Sequence, residues 1–383
     1  MKTARNFKIP SLILVATVSG GFVFPAFAEQ VTSYLVDLNT RRVTSPGTLG
    51  GNNIPWGINA SGQVVGDSLI PSGDSHAFIT SPNGVGMTDL GTLGGANSSA
   101  RGINNSGQVV GNSQPTASKD PLTSYFGHAF ITGPNGVGMT DLGTLNGDYI
   151  SFAFGINASG QVVGYSKPIS GYAHAFITGP NGVGMTELGS LTGTFSEAYG
   201  INDSGQAVGY SYTASGYRHA FMTGPNGADM TDLGTLGGND SYATGINASG
   251  QVVGYSYTAS GDSHAFITGP NGVGMTDLGG PTGGTSEAWG INDSGQVTGS
   301  TWTAANGNRA FITGPNGVGM VDLNSLVHPS GGGIFIIAHG INNMGQVSAI
   351  GVVPEPESYA LLLPGLALIG FVARRKKIVV PSL

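Results

Sequence analysis

The sequence predicts an all-β protein: a seven-bladed β-propeller of four-stranded antiparallel blades, with a β-solenoid as the alternative. Three observations predict it. Gly-Ile-Asn occurs seven times, starting at Gly57, Gly102, Gly155, Gly200, Gly245, Gly290 and Gly340, with spacings of 45, 53, 45, 45, 45 and 50 residues. A period of this length with several short strands per copy marks a repeat fold, most often a propeller. Each copy reads as four strands joined by turns, with no helical period of 3.6. The two ends of the repeat region each supply half a blade.

The elements follow in chain order. Residues 1–28 carry Lys2, Arg5 and Lys8, then an apolar run from Ile9 to Phe24, then Ala26-Phe27-Ala28. That is the order of a secretory signal peptide, with cleavage set by Ala26 and Ala28 and falling before Glu29. The absence of cysteine fits a secreted fold whose repeats need no staples.

One copy, Thr244 to Gly290, represents the others. Asn247-Ala248-Ser249-Gly250 reads as a tight turn, because Asn bonds its own backbone two residues on. Gln251–Ser256 alternates as a strand. His264–Thr268 is the next strand. Gly269-Pro270-Asn271-Gly272 is a turn, and Gly274–Leu278 is the last strand. The 67 glycines recur in register with apolar pairs, so they read as turns rather than as disorder. One such sheet cannot bury both its faces, and blades stacked in a closed ring solve this.

Ala100, Ala153, Ala198, Ala243, Ala288 and Ala338 stand two residues before Gly-Ile-Asn, with Pro55 in the first copy. Small residues there are expected where blades crowd toward an axis. The next position varies: Trp56, Arg101, Phe154, Tyr199, Thr244, Trp289 and His339. It is expected to be less crowded and wetter. After Gly340 the last copy supplies only two strands. Ser33–Leu38 and the segment through Thr48–Gly51 occupy the places of the missing two, so the N-terminal residues complete the seventh blade.

The triplets His-Ala-Phe at His76, His128, His174, His219 and His264 carry a resemblance to the extracellular HAF-repeat family over about residues 48–350, with Arg309-Ala310-Phe311 as a departure. The resemblance implies location more than activity. The spacing is similar to that of WD-type propellers, but the Trp-Asp signature is absent.

Beyond the repeats, Val353-Pro354-Glu355-Pro356-Glu357 precedes an apolar stretch, Tyr359–Ala373, and a basic end, Arg374-Arg375-Lys376-Lys377. The stretch is shorter than the ~20 residues of an ordinary spanning helix, and its basic end is expected to stay cytoplasmic. The segment resembles the PEP-CTERM sorting tail of Gram-negative bacteria, with Ile378–Leu383 extending past the usual end. The resemblance implies an exosortase-type sorting protease as partner and transient membrane insertion through the tail. It also implies anchoring at the inner membrane before processing, then delivery to the cell surface or matrix. The expected domains are a signal peptide (1–28), a propeller (29–352) and a sorting tail with an apolar helix (353–383).

Charge narrows the partners. Of 14 Lys and Arg, three lie in the signal peptide and four in the tail, leaving 7; of 21 Asp and Glu, two lie in the tail, leaving 19. The body therefore carries about −12, which argues against nucleic acid and anionic membranes.

No cofactor, metal site or catalytic constellation is expected. Zinc needs three or four converging ligands, whereas the repeated histidines sit in different blades. They are expected to be buried donors that tie backbone, as are His328 and His339. Single acids in turns, Asp203 and Asp293, fit turn chemistry better than calcium. Asp89, Asp141, Glu187, Asp232, Asp277 and Asp322 are expected to be structural acceptors. The irregular features are the better places for specificity. These are the loop Gln114–Phe126, the Gly-rich segment His328–Ile337, and the aromatic set Trp56, Phe154, Tyr199 and Trp289, with Tyr212, Tyr217, Tyr257 and Trp302 on loops. Aromatics beside Asn and Ser suit sugar rings. The expected function is an exported, surface- or matrix-associated, non-enzymatic repeat protein linked to exopolysaccharide or biofilm. A propeller-type glycan-active enzyme and a carbohydrate-binding adhesin are the alternatives.

Overall fold

A computed structural model describes residues 29–116, 127–329 and 332–354, and the unit Glu29–Pro354 forms seven four-stranded antiparallel sheets. Ala26, Ala28, Glu355, Pro356, Arg374, Arg375 and the apolar stretch Tyr359–Ala373 lie outside the described residues, as do residues 117–126 of the long loop. No helix among the described residues is long and apolar enough to cross a membrane.

Blade five shows the plan. Its inner strand is Gly237–Ile246, followed outward by Val252–Thr258, Ser263–Thr268 and Met275–Gly279. Side chains alternate between the two faces, and both faces are buried. Val252, Phe266 and Ala243 pack on Val208, Ala220 and Met222 of blade four. Val253, Ala265 and Ile267 pack on Ala288, Val297 and Phe311 of blade six. This explains the Val-Val and Ala-Phe-Ile runs: a blade needs apolar residues at successive positions because it has a neighbour on each side. Phe78, Phe130, Phe176, Phe221, Phe266 and Phe311 are fully buried, one in each of the first six blades.

The ring closes as the chain ends require. Blade seven runs Ile334–Ile341, Gln346–Pro354, Glu29–Asp37 and Arg42–Thr44 from the axis outward. Two strands come from each end, which rules out the solenoid. Tyr34 takes the place of the buried Phe and packs edge-on against Phe335 at 5.6 Å. One detail differs from expectation: the outer strand is Arg42–Thr44, and Thr48–Gly51 leads on to blade one. The strand ending at Pro354 pairs with Glu29, so the Pro-Glu-Pro motif begins inside the last strand.

The alanine row does lie on the inner strands, but it packs between blades, and only Ala243 also borders an axial cavity among the described residues. Each Ala is fully buried against the preceding blade. The crowding falls two residues later, on the glycine of Gly-Ile-Asn. A Cβ on Gly102 would stand 2.6 Å from the carbonyl oxygen of Phe154 in the next blade, and one on Gly290 would stand 2.7 Å from that of His339.

Between Ala and Gly, every inner strand carries a β-bulge. Register slips between Pro55 and Gly57, Ala100 and Gly102, Ala153 and Gly155, Ala198 and Gly200, Ala243 and Gly245, Ala288 and Gly290, and Ala338 and Gly340. The extra residue in each is the variable one. A bulge turns its residue out of the regular pleat, so this position answers to the axis rather than to a neighbouring blade. The bulge also presses an inner-strand carbonyl toward the second strand. That accounts for the Gly of Val-Val-Gly: a Cβ on Gly254 would overlap the carbonyl oxygen of Tyr242. Blade seven has Ala349 at this place and carries a second bulge, between Phe335 and Ile337. Gly254→Ala is therefore expected to destabilise the protein by about 1–3 kcal/mol or more, measured as a lower urea midpoint. An unchanged midpoint would show that the bulge imposes no close approach.

Candidate functional site

Two cavities lie on the axis. The first is lined by the Ile, the Asn and the following residue of all seven Gly-Ile-Asn copies and holds about 240 Å³. Its polar groups are consumed by the scaffold. The Asn59 side-chain amide donates to the Asn104 backbone carbonyl of the next blade at 3.1 Å. Asn104 donates in the same way to Asn157, then Asn157 to Asn202, Asn202 to Asn247, Asn247 to Asn292 and Asn292 to Asn342, at 3.1–3.3 Å. Asn342 returns to Asn59 at 3.0 Å and closes the circle.

Each Asn is saturated by its own turn. In blade five the second amide proton of Asn247 goes to Gln251 Oε1 at 2.8 Å, and Oδ1 accepts from the backbone N–H of Ser249 and of Gln251. Only an amide offers two donors and an acceptor in one short side chain, so this residue type is dictated. The Gln then reaches onward: Gln251 Nε2 donates to Asn316 Oδ1 in the Pro-Asn-Gly turn of blade six at 3.3 Å. Asp203 and Asp293 also bridge blades rather than merely shaping turns. They accept from the backbone N–H of Ala158 and Ala248 at 2.9 and 3.1 Å. With its amides satisfied internally, this cavity offers a ligand little.

The second cavity is formed by the bulged residues and holds about 480 Å³. Trp56, Phe154, Tyr199 and Trp289 all line it, together with Arg101, Thr244 and His339. Tyr242 and Ala243 from an inner strand, and Tyr210 and Tyr255 from second strands, complete the wall. Ring contacts run nearly all the way round. Phe154–Tyr199 centroids are 4.8 Å apart, Tyr199–Tyr210 5.9 Å, Tyr210–Tyr242 4.8 Å and Tyr242–Tyr255 4.8 Å. Tyr255–Trp289 follows at 6.2 Å, Trp289–His339 at 6.1 Å and His339–Trp56 at 4.4 Å. The Arg101 guanidinium lies over the Trp56 ring at 4.0 Å. The belt is half-buried at Trp56, Phe154, Tyr199 and Trp289, and these side chains face the axis rather than the spaces between blades.

Acidic groups position this wall. Asp67 accepts from Trp56 Nε1 at 2.7 Å and from Ser99 Oγ at 2.9 Å. Glu197 Oε2 accepts from the hydroxyls of Tyr199 and Tyr210 at 2.5 and 3.0 Å. Burial holds the carboxyls of Glu197 and Glu287 above their usual range, outweighing at Glu197 the two hydroxyl donors. Burial also raises Tyr165, Tyr199, Tyr210 and Tyr255, so these phenols stay protonated. It lowers Arg101 against the opposing pull of Asp67. His339 is pushed down to about 4 by burial, and is therefore neutral at pH 7.

Several expected residues lie elsewhere. Tyr217, Tyr257 and Trp302 are exposed, and Tyr212 packs at a tilt against Phe195, with centroids 4.8 Å apart, away from the axial cavity. The repeated histidines are not buried ties to backbone. Each pairs with the acid thirteen residues later across the outer hairpin: His76–Asp89, His128–Asp141, His174–Glu187, His219–Asp232 and His264–Asp277, at 2.7–2.9 Å. Arg309 breaks the series, and Asp322 instead caps Asn324. His339 differs from all of these: it lines the cavity and its Nδ1 has no partner among the described residues. No group of three or more His, Cys, Asp or Glu that could hold a metal occurs among the described residues. The spacing of the repeats could have flagged Arg101, Thr244 and His339 as members of the belt, since they share its column. Tyr210, Tyr242 and Tyr255 needed the strand pairing.

The family comparison identifies a PEP-CTERM protein-sorting motif over residues 352–377. That motif is the recognition signal for exosortase, and it marks an exported propeller protein processed at the membrane of a Gram-negative cell and associated with its surface. No curated protein matches the chain in sequence. Among solved structures, a prolyl endopeptidase is similar with a TM-score of 0.58 at 11% identity, over 77% of this chain and 46% of that one. A protein assigned as TolB from Agrobacterium tumefaciens matches at 0.49 and 10% identity, over 86% of this chain and 100% of that one. A puromycin-hydrolyzing peptidase of Mycobacterium tuberculosis matches at 0.48 and 11%, over 76% and 48%. At such identities the likeness is one of fold.

The His128–Asp141 pair generates a pH prediction. The hydrogen bond to Asp141 raises His128 above 6.5, against burial. At Asp141 burial pushes upward, but the bonds from His128 and the Gly143 N–H prevail and hold it below 3.8. The His contribution is complete below 6.5 and is lost as pH rises through the raised value; the Asp contribution is present above 3.8 and is lost as pH falls. His128→Gln is thus expected to cost more stability at about pH 5 than at about pH 8. Equal losses in urea unfolding at both pH values would contradict the pairing.

Proposed function

We propose that this exported propeller is a non-enzymatic binding component of the cell surface or matrix, and that its axial aromatic belt holds saccharide units of exopolysaccharide or other surface glycans. The observation that carries the reading is the belt itself. In every blade the bulge just before Gly-Ile-Asn directs the variable residue of the repeat into one cavity. Flat Trp and Tyr faces suit the apolar faces of pyranose rings, while the phenol hydroxyls and Thr244 provide polar edges. The volume of about 480 Å³ lies within the usual range for small-ligand pockets. A cavity on the axis takes a chain end or a side branch more readily than the middle of a polymer.

One specific observation favours a second reading, a glycan-active enzyme. Glu197 and Glu287 occupy the same place in the inner strands of blades four and six, and burial raises both carboxyls. A carboxyl group held above its usual range behind a sugar site suits general acid catalysis. Glu197, however, is engaged by two tyrosine hydroxyls, which suits holding the wall in place.

Retention on purified exopolysaccharide from the producing cells tests the binding reading. The exported protein is expected to be retained, and Trp289→Ala to weaken retention by about tenfold or more, as loss of an aromatic anchor does. No retention of the wild-type protein contradicts the reading. Release of shortened glycan, detected by mass spectrometry and abolished by Glu197→Gln, would favour the enzyme.

A further inference from the structure

The belt contains one cation, and that cation donates no hydrogen bond to a described residue. Arg101 occupies the bulge of blade two, where other blades place Trp56, Phe154, Tyr199, Thr244, Trp289 and His339. Its guanidinium rests on Trp56 and donates to no described residue; its Nε is buried without a partner. A guanidinium has five donors in a fixed fork. The buried Nε–H left without an acceptor costs free energy, while the terminal nitrogens are not sealed off and can donate into the cavity. Burial accordingly pulls Arg101 below its usual value.

The nearby acids do not answer this demand. Asp67 is close enough to act on Arg101 electrostatically, but its oxygens accept from Trp56 Nε1, Ser99 Oγ and, at 3.5 Å, Ser75 Oγ. Glu197 is held by Tyr199 and Tyr210. The aromatic walls would otherwise suit a cationic ligand, yet Arg101 already occupies that role over Trp56 and would repel a second cation.

We propose that the axial cavity selects a saccharide bearing a carboxylate, a uronic acid residue, with Arg101 receiving the carboxylate and the aromatic belt receiving the sugar ring. This rests on the saccharide-binding reading above and names its ligand class. A planar carboxylate matches the guanidinium fork with two parallel hydrogen bonds. It also explains a cation placed on the axis of a body that is otherwise acidic: the cationic group is positioned for the ligand, and the surrounding negative charge penalises anions that fail to reach it.

Calorimetric titration of the exported protein with a glucuronate-containing disaccharide, its methyl ester and a sulfated neutral disaccharide tests this. The acid is expected to bind about 10–100-fold more tightly than its ester. In Arg101→Gln the preference is expected to fall to within about threefold, and Arg101→Lys, which keeps the charge and loses the fork, to lie between. The ester comparison needs no variant, so a folding defect in Arg101→Gln does not remove the test. Equal binding of acid and ester overturns the inference and leaves saccharide binding standing. A preference that survives Arg101→Gln, or tighter binding of the sulfated sugar, overturns the assignment to Arg101 and carboxylate. Binding of none of the three overturns this inference and the reading beneath it.

Discussion

A circle of side-chain amides sets the terms for the rest of this structure. Seven asparagines each bond the backbone carbonyl of the next blade, and the last bonds the first. Replacing one member leaves the buried carbonyl of the next blade and the backbone N–H groups of its own turn unsatisfied, while the preceding asparagine still reaches its backbone carbonyl. The asparagines are 3–5% exposed, or 6% at Asn342, so water does not substitute for them. The same turns dock on the Pro-Asn-Gly turns, and the glycine of Gly-Ile-Asn lets adjacent inner strands approach. The uniformity of these motifs follows from that requirement and implies nothing about a ligand.

The bulge reconciles uniformity with recognition. It falls between a buried alanine, fixed by the preceding blade, and a glycine, fixed by the following one. The residue between them has no neighbour to satisfy except the axis, and its type is free. Outer parts of the blade are tied separately. Ser98, Ser151, Ser196, Ser241 and Ser286 each receive the backbone N–H of the His-Ala-Phe alanine of the preceding blade at 2.8–3.0 Å. At the seam Asn53 receives that of Ser33 at 2.6 Å. Blade seven, assembled from both ends, keeps the link to blade one with altered residues.

Much of this was legible in the sequence. The copy number, the strands of one copy and the half-blades at each end follow from spacing and turn chemistry. So does the grouping of Trp56, Phe154, Tyr199 and Trp289 in one column. What was not legible depends on partners distant in sequence. The acceptor of Asn104 is Asn157, 53 positions on, and the extra loop residues between them leave the bond unchanged. The bulge is a relation between two strands, so the column order alone put the alanines toward the axis, where the bulged residues stand. The histidines looked like isolated donors because their acids lie across a hairpin. His339 and Arg101 stand in the variable column outside its aromatic set, and their polarity is what distinguishes the cavity chemically.

The most direct measurement is the urea unfolding free energy of Asn247→Ala. The substitution removes bonds to Gln251, Ser249 and the Asn292 carbonyl at a site 4% exposed. If the amide circle closes the propeller, stability falls by about 1–3 kcal/mol or more, and pairing it with Asn292→Ala gives a non-additive loss. Stability within about 0.5 kcal/mol of the wild type would contradict the account, and ring closure would then rest on the apolar packing between blades alone.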